Sequence, residues 1–232
     1  MSAPQKKILV VLTSADKLPT GAPYYEFKDD FELTLASPAG GAAPLDPASV
    51  EAFKSDELAT KFLSDATAQQ LVKNTTKLST VDPSKFDTIF YVGGHGPVVD
   101  LAVDQDSIKL IENGQELISR YLSVASTFYS SRKITAAVCH APAVFVNTKQ
   151  DGKPVIAGKK FTGFSNDEEE AVGMTKAVPF LLETSLRDLG GKYEKAPEAW
   201  APWVVVDGNL YTGQNPASAG PLAERITKDL LK

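Results

Sequence analysis

Four short runs of β-branched and aliphatic residues limit what this chain can fold into: KILVVLTS (7–14), FELTLASP (31–38), DTIFYVGG (87–94) and KITAAVCH (133–140). Each is apolar almost without interruption, so each is predicted to be a strand covered on both faces, as in a parallel sheet. Segments of helical period separate them. In SDELATKFLSDATAQQLVKN (55–74), Leu58, Phe62, Leu63, Ala66 and Leu71 mark one stripe, which predicts one amphipathic helix. VPFLLETSLRDLGG (178–191) reads as another, stopped by Gly190 and Gly191. WVVVDGNLYTG (203–213) reads as a hairpin on an Asp-Gly turn, and Asn215 with Pro216 as the cap and first position of a final helix. The oxygens of VDQD (103–106) lack a partner motif and read as a helix cap. Strands alternating with helices predict a three-layer α/β/α sandwich with a mostly parallel central sheet. No repeat or linker divides the chain, so residues 1–232 are expected to form one domain.

The bulk numbers narrow the function classes. A formal charge of −5, with no Lys/Arg block, argues against a nucleic-acid footprint. One cysteine can close no internal disulfide and supply no Cys-rich zinc site. The apolar run that begins at Ile8 is too short for a signal segment or a membrane span. A soluble protein of the cytoplasm or nucleus is expected.

The chemistry-bearing side chains gather at two strand ends. Cys139, the single cysteine, is followed at once by His140, and the other histidine lies in Gly93-Gly94-His95-Gly96. In open parallel sheets, ligands sit beyond the carboxyl ends of the strands. A sharp strand-to-helix turn there presents its residue as a nucleophile elbow does. If HAPAVFVN (140–147) continues as a helix, its positive end and His140 predict a depressed Cys139 pKa. A strand-end cysteine can also be buried filler, and His95 can equally serve to satisfy a loop carbonyl. In NDEEEAVG (166–173) the acids suit a solvated helix start, but one pointing inward would orient His140 as the third member of a triad. No histidine follows His140, which disfavours the amidotransferase and papain-like orders.

Together, GGHGPVVDL (93–101), AAVCHAPAVF (136–145), GFSNDEEEAVG (163–173), VPFLLE (178–183) and VVVDGNLYTGQNPASA (204–219) closely resemble the ThiJ/PfpI superfamily, of class I glutamine-amidotransferase-like, flavodoxin-like fold. They resemble in particular its glutathione-independent glyoxalase (glyoxalase III) and stress-induced chaperone-like branch. The resemblance covers nearly the whole chain. It implies Cys139 as nucleophile, His140 as its partner and Glu169, six positions after Gly163, as the third triad member. Gly93, Gly94 and His95 would form the oxyanion and substrate-binding site, with the His140 amide beside Gly94. The implied reaction is a hydro-lyase-type conversion of methylglyoxal, or glyoxal, to the hydroxy acid through a cysteine hemithioacetal, without metal or organic cofactor. A homodimer is implied as well. The alternative from the same branch is a holdase chaperone or a protein deglycase.

Two stretches depart from the family pattern. LPTGAPYYEFK (18–28) lacks the family's glutamate-bearing segment, and Glu26, in the following helix, does not inherit its role. GQELISRYLSVASTFYSS (114–131) is extra chain where the family has a short turn. The first departure implies capture of aldehyde by Cys139 with reduced turnover.

Overall fold

The computed structural model describes residues 4–14, 21–44, 47–112 and 128–232 of the chain. The four apolar runs form β1 (Lys7–Val11), β2 (Glu32–Ser37), β4 (Thr88–Tyr91) and β5 (Ile134–Val138); β3 (Thr76–Lys77) is a two-residue edge. With β10 (Val204–Asp207) and β11 (Leu210–Gly213) they make a seven-stranded sheet in the order β10-β11-β5-β4-β1-β2-β3. Only β10 runs antiparallel to its neighbour. Two ribbons lie outside it, β6 (Lys149–Gln150) with β7 (Lys153–Pro154), and β8 (Lys160–Phe161) with β9 (Lys192–Tyr193).

The central strands are buried on both faces, which is why their sequences do not alternate. Ile8, Leu9, Val11, Ile89, Phe90, Tyr91, Ala136 and Ala137 are all fully buried. One helical layer is α1 (Gly21–Phe27), packed on α3 (Glu57–Ser64) and on α9 (Ala219–Leu230). A second group, α5 (Gly96–Val99), α6 (Gln105–Ile111) and α8 (Leu182–Asp188), gathers round a 3-10 helix at Ala141–Phe145. The remaining helices are α2 (Pro47–Ala52), α4 (Ala66–Lys73) and α7 (Asn166–Ala171). Asp104 caps α6 by accepting from the Ser107 amide, so VDQD is a cap as expected. Among the described residues, no helix is long and apolar enough to cross a membrane.

Several local expectations differ from the structure. The stretch 55–74 is two helices rather than one, because Asp65 ends α3 and caps α4, taking the amides of Thr67 and Ala68. Its buried stripe is therefore Ala59, Phe62, Ala68 and Val72, while Leu58 is exposed. Residues 178–181 precede α8, which begins at Leu182. The hairpin turns on Gly208-Asn209, since Asp207 pairs with Leu210. Asn215 caps a 3-10 turn at Pro216–Ser218 that runs on into α9. After Cys139 the chain enters that five-residue 3-10 helix, not a regular α-helix. Most of the extra stretch 114–131, and residues 15–20 before α1, lie outside the described residues.

Candidate active site

The carboxyl ends of β4 and β5 lie side by side, and all six residues singled out from the sequence meet there. Cys139 follows the last residue of β5 and takes φ 63°, a left-handed conformation that costs a side-chain-bearing residue on the order of 1–3 kcal/mol. Two hydrogen bonds hold it. Its N–H donates to the Gly213 carbonyl at 2.9 Å, and its own carbonyl accepts from the Phe164 amide at 2.9 Å. The neighbouring strand end leaves room for this turn only because residue 93 has no side chain. A Cβ on Gly93 would stand 2.6 Å from Cys139 Cβ and 2.7 Å from the Val138 carbonyl oxygen. Gly94, at φ 90°, uses the freedom of glycine to turn its amide onto the cysteine sulfur.

A continuous chain of contacts runs inward from the sulfur. Cys139 Sγ lies 3.4 Å from His140 Nδ1, and His140 Nε2 lies 2.6 Å from Glu169 Oε2. The other oxygen of the same carboxylate, Oε1, lies 2.9 Å from His95 Nε2. The two imidazoles sit with ring centres 4.0 Å apart. Phe164 packs on His140 from 4.3 Å, and Trp200 meets Phe164 edge-on at 5.7 Å. His140 and Glu169 are buried, whereas the His95 side chain keeps 20% of its surface exposed.

The electrostatics assign the protons. Burial disfavours the Glu169 carboxylate, but hydrogen bonds from His140 and His95 outweigh it and bring its pKa down to about 2. An ionised carboxylate only accepts, so both Nε2 atoms carry the protons. Burial also holds the His140 pKa below its ordinary value, against the pull of Glu169, so His140 is neutral and its Nδ1 lone pair faces the thiol. One ring nitrogen of each histidine and a Glu169 oxygen lie within 4.8 Å of one another, a spacing that would suit one divalent ion. Each histidine Nε2–H is already directed at Glu169, so a metal there would have to displace both protons.

The expectation of a depressed cysteine pKa is overturned. Burial pushes the Cys139 thiol up to about 12, opposed by the amides of Gly94 and His140 and reinforced by the charges of Glu168 and Glu169. The reason is local: a five-residue 3-10 turn replaces the α-helix whose dipole was to favour the thiolate, and the sulfur has almost no contact with water.

The acidic run divides its labour by direction. Asp167 is exposed and pairs with Lys195, Glu170 is exposed, and Glu169 turns to the two histidines. Glu168 is fully buried, and sequence reasoning gave it no role. Its Oε2 accepts the Ser165 amide at 2.9 Å, while Oε1 accepts from the Trp200 amide, Gln214 Nε2 and Asn215 Nδ2 at 3.2, 3.0 and 2.9 Å. Ser165-x-x-Glu168 forms a capping box, and that spacing was a signal available in the sequence. The sharing of Glu169 by His95 had no such signal. It depends on a strand-end turn and a helix whose residues lie 74 positions apart.

Comparison with known proteins places the chain in a family. The family model described as "DJ-1/PfpI family" matches residues 6–229. The chain is 30% identical to Glyoxalase 3 of Candida albicans, covering 95% of this chain and 96% of that protein. It is 27% identical, with the same coverages, to the glutathione-independent glyoxalase HSP31 of Saccharomyces cerevisiae. Among solved structures, the crystal structure of glyoxalase III from Candida albicans superposes with a TM-score of 0.81 at 28% identity, over 97% of each chain. The Rapid Encystment Protein of Francisella tularensis gives 0.82 at 33% identity, over 98% of this chain and 100% of that one. With the family model spanning nearly its whole length and such relatives over both sequence and fold, the chain belongs to the DJ-1/PfpI family.

Proposed function

We propose that this protein is a glutathione-independent glyoxalase of the hydro-lyase type, converting methylglyoxal to lactate on Cys139. The observation that carries the reading is the chain Cys139 Sγ to His140 Nδ1 to Glu169, seated at a strand-end turn under two backbone amides. The names of the Candida and Saccharomyces relatives support the choice of substrate.

A thiol with a pKa raised by burial is not a free thiolate in the resting site. It is deprotonated as it attacks: His140 Nδ1 takes the proton while sulfur bonds to the aldehyde carbon, and Glu169 stabilises the imidazolium that forms. The amides of Gly94 and His140, directed at sulfur, are the donors this reading assigns to an oxyanion on the attacked carbon. The bare Cα of Gly93 leaves the space beside Cys139 clear. The hemithioacetal then isomerises through an enediol to a thioester, and water releases the acid.

The test is lactate formation from methylglyoxal by purified protein in glutathione-free buffer. Sustained lactate release that disappears in Cys139→Ser is expected. A wild-type protein that yields no lactate, although its thiol remains titratable, would remove the reading.

A further inference from the structure

Glu169 serves two imidazoles, and only one of them faces the thiol. His140 is committed: Nε2 to the carboxylate, Nδ1 to Cys139 Sγ. His95 repeats half of this pattern, with Nε2 on the other carboxylate oxygen. Its Nδ1 finds no hydrogen-bond partner among the described residues, and its side chain is the partly exposed member of the cluster. With Nε2 directed at the carboxylate, His95 turns Nδ1 away as the acceptor position of its ring, backed by the same buried carboxylate that backs His140. A base so placed is not needed for the thiol. The enediol step, by contrast, must remove a proton from carbon and return one to the adjacent carbon. The other acids of the cluster are occupied: both oxygens of Glu169 accept from histidines, and Glu168 accepts four N–H groups.

We infer that His95 is the catalytic base that moves hydrogen between the two carbons of the captured aldehyde. This rests on the glyoxalase reading above. In the hemithioacetal, His95 Nδ1 removes the C1 proton; that electron pair forms the C1–C2 double bond as the C2 carbonyl oxygen takes a proton from solvent water. In the return step His95, its Nδ1 hydrogen now exchanged with solvent at the exposed side of the ring, delivers a proton to C2, the C1 hydroxyl gives its own to solvent, and the C1 carbonyl of the thioester forms. No external oxidant or reductant enters: C1 is oxidised as C2 is reduced. With His95 in this role, transfer does not require the glutamate that LPTGAPYYEFK leaves unmatched.

The test follows methylglyoxal deuterated at C1, measuring release of deuterium to solvent, lactate formation and iodoacetamide labelling of Cys139. Wild type is expected to release the label and make lactate. His95→Gln should lose both by roughly 10²–10⁴-fold, with Cys139 labelling unchanged. The residual turnover of the variant should show a larger primary isotope effect on kcat, and imidazole should restore part of the turnover of His95→Ala. A purely structural role moves neither. Deuterium release by His95→Gln within about threefold of wild type overturns the assignment, as does a loss matched by equal loss of Cys139 labelling. Deuterium release without lactate in wild type would sink the glyoxalase reading while keeping His95 as base. Absence of both from wild type would remove both.

Discussion

Cys139 combines two properties that pull in opposite directions. Its left-handed turn displays the sulfur at the sheet edge, while its burial raises the thiol pKa to about 12. Attack on a bound aldehyde therefore depends on a base at 3.4 Å, whereas an alkylating reagent reads the standing thiolate population. The expected result is an iodoacetamide rate that climbs about tenfold per pH unit from pH 7 to 10 without levelling, since only the thiolate reacts. A plateau at or below about 8.5, the ordinary cysteine value, would show that the sulfur is ionised by its surroundings after all. Adjacency of Cys139 and His140 was visible in the sequence, but desolvation was not: it comes from residues such as Phe164, brought over the site from 25 positions away.

Helix α7 shows how one short element sets several directions at once. Ser165 caps it and Glu168 closes the box, so the positions of Glu168 and Glu169 in the first turn are fixed before any tertiary contact. Successive helical residues point about 100° apart, which sends Glu169 to the histidines and Glu168 to the 200 and 214–215 segments. Glu168 is thus a positioning residue, lashing the Trp200 backbone and the turn before α9 to the element that carries Glu169. Replacing it by glutamine turns an NH₂ group toward at least one buried N–H. Glu168→Gln is expected to cost on the order of 1–3 kcal/mol in urea unfolding. A midpoint unchanged from wild type would mean that these four bonds are readily replaced by water.

Across the whole molecule, the same buried cluster couples stability to pH. Glu169 falls from an ordinary 4.5 to about 2 in the folded chain, because its histidine hydrogen bonds outweigh burial. Its contribution is complete above about pH 4.5 and is lost as pH drops toward 2. His140 has its folded pKa held below 6.5 by burial, so the unfolded chain takes up its proton first and stability begins to fall as pH passes below that value. Both slopes have the same sign: the unfolded state binds more protons, and acid destabilises. Denaturant midpoints measured from pH 7 to 3 should fall steadily, and Glu169→Gln should flatten the part below 4.5. A variant whose acid profile overlays that of wild type would contradict the assignment of that proton to Glu169.

The sequence by itself determined the sheet, since uninterrupted apolar runs have no stable alternative to burial on both faces, and it determined which turns hold the chemistry, since Gly93-Gly94-His95 and Cys139-His140 directly follow two of those runs. Local capping was legible too, in Asp104, Asn215 and the Ser165–Glu168 spacing, because it is written within four residues. Helix lengths were less so: the period in 55–74 continues through Asp65, but a carboxylate that caps the next two amides interrupts it. Only the tertiary structure decided the state of the site. The parallel pairing of β4 with β5 brings His95 beside His140, and the packing of α7 against that edge puts one carboxylate between them. Desolvation and shared hydrogen bonds are properties of groups far apart in the chain, so the proton positions that govern the chemistry exist only once the layers have closed.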